Sequence, residues 1–402
     1  GTSASDFITN DTTLVVSGTN GNLAVGSKIQ VSSNGGTTWT DVVQTTATTW
    51  SFDDTANPHV ISFSYTARVV DVAGNVGNTA TQAVTIDTTA PAAAETVAIT
   101  AITTDTGTPG DYITNDTSLT VSGTNAVLSA GNRIQVSSDG GATWADATVT
   151  GTTWSYVDPV NHAANFTYSV RVVDTAGNVG NTANQAVTID TTAPPAAETV
   201  AITAITTDTG TPGDFITNDT SLTVSGTNAV LAAGNRIQVS SDGGTTWANA
   251  TVTGTTWTYM DPANHATSFS YQARVVDLAG NIGQTATQAV TIDTTAPATA
   301  ETVAITAITT DTGTSASDFI TNDTTLTVSG SNGNLAVGSK IQVSSNGGTT
   351  WTDVVQTTAT TWSFDDTANP HATSFSYTAR VVDVAGNVGN TATQAVTIDT
   401  TA

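Results

Sequence analysis

One segment occurs four times along the 402-residue chain, and this repetition limits the possible folds more than any other feature of the sequence. The tetrapeptide Ile-Thr-Asn-Asp starts at Ile8, Ile113, Ile216 and Ile320, at intervals of 103 to 105 residues. Self-similarity at a fixed period is typical of tandem arrays. We expect four modules, numbered 1 to 4, that span residues 1–93, 94–196, 197–299 and 300–402.

Modules 1 and 4 match almost residue for residue at an offset of 312, whereas modules 2 and 3 resemble each other more closely. The first residues, from Gly1 to Asp6, recur from Gly313 to Asp318. The chain is therefore expected to begin in mid-repeat, as a fragment of a longer array. Module 1 lacks the Thr-Val-Ala-Ile segment that opens the other modules, so we expect it to lack its first strand and to be the least stable module.

Within module 2 the apolar runs are short, alternate with a period of two and are separated by Gly, Asn and Asp. This pattern predicts β-strands and leaves no helical periodicity. The predicted strands A to G lie near 97–102, 118–122, 133–137, 143–149, 153–156, 166–174 and 183–190. Seven strands in a module of this size predict an all-β, immunoglobulin-like seven-stranded sandwich.

Strand F assigns the two faces of the sandwich. Tyr168, Val170 and Val172 share one face with Phe166, whereas Arg171 points to the other face. The tyrosine stands where immunoglobulin domains place the tyrosine corner, without the disulfide of those domains, because the chain has no cysteine.

The composition limits the partners that the chain can bind. Acidic residues outnumber basic ones 33 to 8, and the net charge is -25. This balance argues against nucleic acid and anionic membranes as partners and favours a cation. No apolar run is long enough to insert into a membrane as a helix. All but three of the acidic residues are Asp, which suits both turns and hard-cation sites.

An odd number of antiparallel strands puts the two termini of a module at opposite poles. We therefore expect the modules to stack end to end as a monomeric rod. The expected partners of each module are neighbouring modules of the same chain. Each junction then brings two groups of oxygen donors together. Asp6, Asp11 and Asp87 face Glu95, Asp174 and Asn178; Asp105, Asp111, Asp116 and Asp190 face Glu198, Asp277 and Asn281; Asp208, Asp214, Asp219 and Asp293 face Glu301, Asp383 and Asn387; and Asp311, Asp318, Asp323 and Asp399 form the corresponding group of module 4.

Converging carboxylates repel one another unless a cation lies between them. Ca²⁺ takes about six to eight oxygen ligands, whereas Mg²⁺ demands stricter geometry, and Zn²⁺ and copper favour His and Cys. The sequence therefore predicts Ca²⁺ at these 24 positions. The alternative is that the same residues form Asx turns on an acidic surface.

The motif Asp-Xaa-Ala-Gly-Asn-Xaa-Gly occurs at Asp71, Asp174, Asp277 and Asp383, and Ile-Asp-Thr-Thr-Ala-Pro follows at the end of modules 1 to 3. Together with the repeat length and the Thr-Val-Ala-Ile-Thr-Ala-Ile segment, these motifs resemble the bacterial immunoglobulin-like extender repeats of giant repeats-in-toxin adhesins. The resemblance implies a Ca²⁺-rigidified spacer on the bacterial cell surface, exported by type I secretion, that holds a ligand-binding tip away from the cell and bears no ligand site.

The tryptophans and histidines of the repeat have ordinary structural interpretations. The two Trp residues of each module, such as Trp144 and Trp154, are predicted to lie in the core because of their alternation within strands. The histidines His59, His162, His265 and His371 are predicted to be turn residues, and no Ser-His-Asp assembly indicates an enzyme. The alternative function is an adhesive module that itself binds glycan, ice or another surface protein.

Overall fold

Period-two alternation of apolar and Thr-rich segments produces strands throughout the chain. The computed structural model describes residues 1 and 3–401, and these residues form strands, turns and bends without any helix. Thr2, within the repeated opening segment, and Ala402, the last residue of module 4, lie outside the described residues. The all-β prediction and the four tandem immunoglobulin-like sandwiches are confirmed.

The chain contains two compact units. The first comprises Gly1–Thr192 with the short segment Leu278–Asn281, and the second comprises Ala193–Asp277 and the chain from Ile282 onward. The first unit thus contains module 1 and nearly all of module 2, and the second contains most of module 3 and all of module 4.

The strands of the first two modules follow the same order along the chain. Module 1 contains β1 Ile8–Thr9, β2 Val15–Thr19, β3 Lys28–Ser32, β4 Thr40–Asp41, β5 Val43–Thr46, β6 Thr49–Asp53, β7 Phe63–Val70 and β8 Val76–Ile86. Module 2 contains β9 Val97–Thr103, β10 Ile113–Thr114, β11 Thr120–Asn125, β12 Arg133–Ser137, β13 Ala145–Asp146, β14 Thr148–Thr150, β15 Thr153–Val157, β16 Phe166–Val173 and β17 Val179–Ile189.

The last two modules repeat the order of module 2. Module 3 contains β18 Val200–Thr206, β19 Ile216–Thr217, β20 Ser221–Asn228, β21 Arg236–Ser240, β22 Ala248–Asn249, β23 Thr251–Thr253, β24 Thr256–Asn264, β25 Phe269–Val276 and β26 Ile282–Ile292. Module 4 contains β27 Thr302–Ile308, β28 Ile320–Thr321, β29 Thr327–Gly333, β30 Lys340–Ser344, β31 Thr352–Asp353, β32 Val355–Thr358, β33 Thr361–Asp365, β34 Phe375–Val382 and β35 Val388–Ile398.

In module 2 the strands form two sheets, ordered β14-β15-β11-β9 and β10-β17-β16-β12-β13. The predicted strand D is in fact divided, because β13 pairs with β12 in one sheet and β14 pairs with β15 in the other. Between strands A and B, β10 pairs in parallel with the end of β17, which places Thr114 beside Ile189. The first sheet of module 1 is only β2-β6-β5, so no counterpart of β9 is present among its described residues.

The core lies between the two sheets. In module 2, Val121, Ile134, Tyr168 and Val172 are fully buried around Trp154. Glycine is required in β11 because a Cβ at Gly123 would meet the carbonyl oxygen of Ala98 at 1.9 Å and the Trp154 ring at 2.8 Å. The strand therefore lets a neighbouring backbone and a large ring approach where any other residue would obstruct them.

Candidate functional site

The loop between strands F and G carries the motif that the sequence singled out. In module 2 it runs from Asp174 to Asn178 and turns through Gly177, whose φ is +90°. The Asp174 carboxylate accepts hydrogen bonds from the backbone nitrogen and from Nδ2 of Asn178, both at 2.8 Å. The Asp and Asn of the motif thus close the loop themselves, and Ala176 at its tip is buried.

In the first unit this loop contacts the preceding module. Nδ2 of Asn178 also donates to the carbonyl oxygen of Asp87, at 2.8 Å, just after the last strand of module 1. The backbone nitrogen of Asn10 donates to the carbonyl oxygen of Ala176 at 3.2 Å. One amide side chain therefore joins Asp87 and Asp174, two residues that the sequence placed on opposite sides of this junction.

The second unit repeats the arrangement. Nδ2 of Asn387 donates to the carbonyl oxygen of Asp293 at 2.8 Å and to the carboxylate of Asp383 at 2.9 Å. Oδ1 of Asn387 accepts from Nδ2 of Asn218 at 3.1 Å. Gly210 packs so closely that a Cβ there would lie 1.9 Å from the carbonyl oxygen of Val384. The contact between modules 3 and 4 thus excludes a side chain at that position.

The segment Leu278–Asn281 makes the same contacts within the first unit. The Thr106 hydroxyl donates to the carbonyl oxygen of Ala279. Nδ2 of Asn115 donates to Oδ1 of Asn281 at 3.2 Å, and Nδ2 of Asn281 donates to the carbonyl oxygen of Asp190 at 2.8 Å. Asp277, the first residue of the same motif, is buried.

The first Asp after strand A has an unusual environment in each module that carries it. Oδ2 of Asp105 accepts from the backbone nitrogen of Gly110 at 2.6 Å, and Oδ2 of Asp208 accepts from Gly213 at 2.7 Å. The other oxygen, Oδ1, is buried in Asp105, Asp208 and Asp311, and none of the residues that the structure describes donates a hydrogen bond to it. A buried carboxylate oxygen without a partner is costly, so the repetition of this feature in three modules requires an explanation.

The remaining predicted Asp residues form Asx turns. In each of them Oδ1 accepts a hydrogen bond from the backbone nitrogen two residues later, which is ordinary turn chemistry for Asp. These residues are Asp6, Asp11, Asp87, Asp111, Asp116, Asp190, Asp214, Asp219, Asp293, Asp318, Asp323 and Asp399. Backbone and side-chain hydrogen bonds from Thr13 lower the pKa of Asp11. Turn formation therefore accounts for one oxygen of each residue in this group.

The three glutamates are buried and bonded within their own modules. Glu95 accepts hydrogen bonds from the Ser129 hydroxyl at 2.5 Å and from Nδ2 of Asn132 at 2.8 Å. Burial alone would raise the pKa of Glu95, but these hydrogen bonds outweigh it, and the pKa is lowered. Glu198 accepts from the backbone nitrogen of Ala232, and Glu301 accepts from that of Ala336, both at 3.0 Å.

Across residues 1 and 3–401, no three His, Cys, Asp or Glu side chains lie close enough together to hold a metal ion. The two junction groups described above meet through Asn178 and Asn387 instead of through direct contact of several carboxylates. A cation at these loops would need backbone carbonyl, amide or hydroxyl oxygens to complete its ligands, and Ca²⁺ accepts all of these oxygen types.

Sequence reasoning missed a buried polar network where strand E of each module leads into the E–F loop. In module 1 the fully buried Asp54 accepts from Tyr65 Oη at 3.0 Å and from Asn57 Nδ2 at 2.8 Å, and Nε2 of His59 lies 2.8 Å away. The His59 ring stacks on Phe63 at 3.6 Å. The same Asp, His, Phe and Tyr positions recur in modules 2 to 4.

This network corrects two expectations. The tyrosine of strand F donates to a buried carboxylate, and the histidines are packed ring to ring against Phe and are more than turn residues. Burial raises the pKa of Asp158, but hydrogen bonds led by that from His162 reverse the effect, so the pKa is lowered. Burial and the charge of Asp158 raise the pKa of Tyr168. The signal in the sequence was the constant interval of six residues between the histidine and the tyrosine.

The prediction that all Trp residues lie in the core is half wrong. Trp154 and its counterparts are buried, but Trp39, Trp144, Trp247 and Trp351 are only half-buried. The guanidinium carbon of Arg68 lies 3.8 Å from the ring centroid of Trp39, and the other modules repeat this cation–π pair. The arginine on the outer face of strand F covers the ring, which alternation alone could not reveal.

The chain is similar in sequence to part of one curated enzyme. Exoglucanase B of Cellulomonas fimi is 32% identical over 359 residues, which are 82% of this chain and 29% of that protein. The chain thus spans less than a third of the length of this curated relative.

Two solved structures are also similar. A Ca²⁺-stabilised adhesin that helps an Antarctic bacterium reach out and bind ice has 28% identity over 97% of this chain and 95% of its own, with a TM-score of 0.27. A tetra-tandem repeat from the extending region of a large adhesion protein has 19% identity over 98% of both chains, with a TM-score of 0.21.

The family comparison covers nearly the whole chain. The model of the bacterial Ig-like domain matches four times, at residues 1–88, 92–191, 195–294 and 298–400. Each match contains one of the paired-sheet sandwiches described above. The chain therefore belongs to the bacterial Ig-like domain family, as four tandem copies.

Proposed function

We propose that the chain is a non-catalytic spacer of a bacterial cell-surface adhesin, in which tandem Ig-like modules form an extended array that carries a distal binding domain away from the cell. The observation that carries this proposal is the repeated junction. Asn178 in the first unit and Asn387 in the second bind the preceding module through the same atoms. A spacer requires such a reproducible joint between consecutive modules, whereas a binding module requires none.

We further propose that Ca²⁺ stiffens these joints. The buried Oδ1 atoms of Asp105, Asp208 and Asp311, which lack a donor, support this because a cation would compensate each of them. Asp111 and Asp116 in module 2 and the corresponding residues of modules 3 and 4 lie in the same loops and would supply further oxygens. Bound Ca²⁺ would neutralise repulsion among these carboxylates and restrict the A–B loop that contacts the next module.

The remaining features of the proposal follow from this role. We propose module boundaries at 1–93, 94–196, 197–299 and 300–402, a monomeric state, and an extracellular location reached by type I secretion. Among the described residues, no helix is long and apolar enough to cross a membrane.

Small-angle scattering and thermal melting of the full chain, with Ca²⁺ and after chelation, test the proposal. We expect chelation to shorten the maximum dimension and to lower the melting temperature. A site held at ten times its dissociation constant contributes about 1.4 kcal/mol. An unchanged dimension and an unchanged melting temperature would reject the calcium role and leave the spacer role in place.

A matched pair of variants locates the effect. Asp105→Asn removes one charge at the proposed site, and Asp146→Asn removes one charge from an exposed ion pair with Arg133 in the same module. We expect only Asp105→Asn to reduce the stabilisation by Ca²⁺. Equal responses of the two variants would show that Ca²⁺ acts only through the net charge.

A further inference from the structure

The C–D turn, residues 137–143 in module 2, takes two chemical forms among the four modules. Its third residue is Asn34 in module 1 and Asn346 in module 4, but Asp139 in module 2 and Asp242 in module 3. Two glycines follow at each of the four positions. One turn is thus built with an amide in two copies of the repeat and with the corresponding acid in the other two.

The side chain closes this turn in the same way in both forms. In module 1, Oδ1 of Asn34 accepts hydrogen bonds from the Ser32 hydroxyl at 3.0 Å and from the backbone nitrogen of Thr38 at 2.9 Å. In module 2, Oδ1 of Asp139 accepts from the equivalent serine hydroxyl at 2.7 Å and from the backbone nitrogen of Thr143 at 2.9 Å. The same backbone therefore fits either residue.

The acid form of the turn stabilises its own charge. The Thr246 hydroxyl donates to Oδ2 of Asp242 at 2.5 Å, and hydrogen bonds led by this one lower the pKa of Asp242 to about 2. In the amide form Nδ2 of Asn346 takes the place of Oδ2 and donates to the Thr350 hydroxyl at 2.7 Å, without a charge. The C–D turn is thus suited to a carboxylate at this position.

An Asn that is followed by Gly can react with its own backbone. The glycine nitrogen loses its proton to a solvent base and attacks Cγ of the asparagine. The new N–Cγ bond closes a succinimide ring, while Nδ2 takes up a proton and leaves as ammonia. Water then adds to an imide carbonyl and opens the ring, so that the amide becomes a carboxylate with water as the sole co-reactant and no change of oxidation state. Glycine favours this attack because it has no Cβ to obstruct it.

The C–D turn leaves the reacting atoms accessible. Asn34 and Gly35 are both exposed, and a Cβ at Gly35 would have nothing beyond its chain neighbours within 4 Å. Oδ1 of Asn34 gains negative charge when Cγ is attacked, and its two donors are already placed to stabilise that charge. The Thr38 hydroxyl lies 2.6 Å from Nδ2, where the departing nitrogen needs a proton. The same contacts recur at Asn346.

Module 4 contains the same dipeptide a second time, in a strand, as Asn332-Gly333. Asn332 is 6% exposed, and Gly333 lies in β29 opposite Thr302. A Cβ at Gly333 would lie 2.9 Å from the Thr302 hydroxyl oxygen, so this glycine is enclosed. The paired strand holds the backbone extended and keeps solvent away from the asparagine. Attack on Cγ is therefore hindered at Asn332, whereas the exposed turn at Asn346 permits it.

We propose that Asn34 and Asn346 are spontaneous modification sites, at which deamidation converts the amide form of the C–D turn in modules 1 and 4 into the acid form that the sequence encodes in modules 2 and 3. Each event adds one negative charge to an exposed turn and requires no enzyme. The inference rests neither on calcium nor on the spacer role.

Peptide mass spectrometry of the full chain, incubated in mildly alkaline buffer made with heavy-oxygen water, tests the proposal. We expect the peptides with Asn34 and Asn346 to become acids that carry a labelled oxygen, at least about tenfold faster than the peptide with Asn332. A synthetic peptide with the sequence of residues 30–40 shows that the conditions suffice. Equal rates at Asn332 and Asn346, or unchanged Asn34 and Asn346 after the synthetic peptide has reacted, would overturn the proposal.

The variants Asn34→Asp and Asn346→Asp test whether the turn accepts the product. Modules 2 and 3 hold Asp there with the same serine and threonine donors, so we expect modules 1 and 4 to keep their stability, measured by hydrogen–deuterium exchange. The control Asn332→Asp puts a charge at a buried position and should destabilise module 4. A loss of stability in Asn346→Asp as large as that in Asn332→Asp would contradict the proposed conversion.

Discussion

Modules 1 and 4 have nearly the same sequence, yet their side chains are buried to different extents. Trp50 of module 1 is 8% exposed and Trp362 of module 4 is 1% exposed. Ala73, at the tip of the F–G loop, is exposed in module 1, whereas Ala385 is buried in module 4. Module 4 has strand β27 in its first sheet and module 3 against its F–G loop. The repeat therefore completes its core and covers its F–G loop with elements that lie outside the sequence shared by the two modules.

The core difference should appear most strongly at the tryptophan between the sheets. Trp362→Ala should destabilise module 4 by about 3–5 kcal/mol, the usual cost of removing a buried aromatic side chain. Trp50→Ala should cost module 1 less, since solvent already reaches that ring. Hydrogen–deuterium exchange, followed separately for peptides of each module in the full chain, measures both effects. A cost in module 1 equal to that in module 4 would show that strand A adds nothing to the core.

The polar network should not distinguish the two modules. Asp54 and Asp366 are both fully buried and accept from equivalent Asn and Tyr side chains, beside equivalent histidines. Asp54→Asn and Asp366→Asn should each destabilise their module by about 2–3 kcal/mol, because buried donors lose a charged acceptor. The same exchange experiment compares them. A clear difference would mean that strand A also stabilises this network.

The junction should contribute a smaller difference. Asn387 donates across the junction to Asp293 as well as to Asp383, whereas Asn75 of module 1 donates to Asp71. Asn387 also accepts a hydrogen bond from Asn218 of module 3, so Asn387→Ala should cost about 2 kcal/mol more than Asn75→Ala, at about 1 kcal/mol for each of the two hydrogen bonds between the modules. Chemical denaturation, monitored by exchange at module 1 for Asn75→Ala and at module 4 for Asn387→Ala, gives this difference. If both variants lose the same stability, the hydrogen bonds between the modules add none.

The smallest expected effect is that of acid. Burial raises the pKa of Asp54 and of Asp158, but hydrogen bonds lower each below the ordinary value of 3.8. A depressed pKa in the folded state means that the stabilisation is present above pH 3.8 and is lost as the pH falls below it. We expect the melting temperatures of modules 1 and 2 to decrease as the pH is lowered below 3.8. The variants Asp54→Asn and Asp158→Asn should show a smaller decrease over the same pH range. If the melting temperatures of these variants decrease in acid as much as those of the unchanged chain, the pH dependence arises from other groups.

Much of the fold could be predicted from the sequence because alternation reports directly on which side of a strand faces the core. Strands C and F of module 2 were predicted at nearly their observed bounds. Strand D was not, because Ala145–Asp146 and Thr148–Thr150 belong to different sheets and nothing local reveals that change. Trp39 was assigned to the core because its covering partner, Arg68, lies on a distant strand.

By itself, the sequence determined the number of modules, the sandwich fold and the loop motif from Asp174 to Asn178, because each depends on local pattern or on repetition. Only the tertiary structure decided which polar groups are paired. It showed that Asn178 joins Asp87 to Asp174, that Glu95 is held within its own module, and that no donor reaches Oδ1 of Asp105 from the described part of the chain. Pairing depends on distances between residues far apart in the chain, which a sequence pattern does not contain.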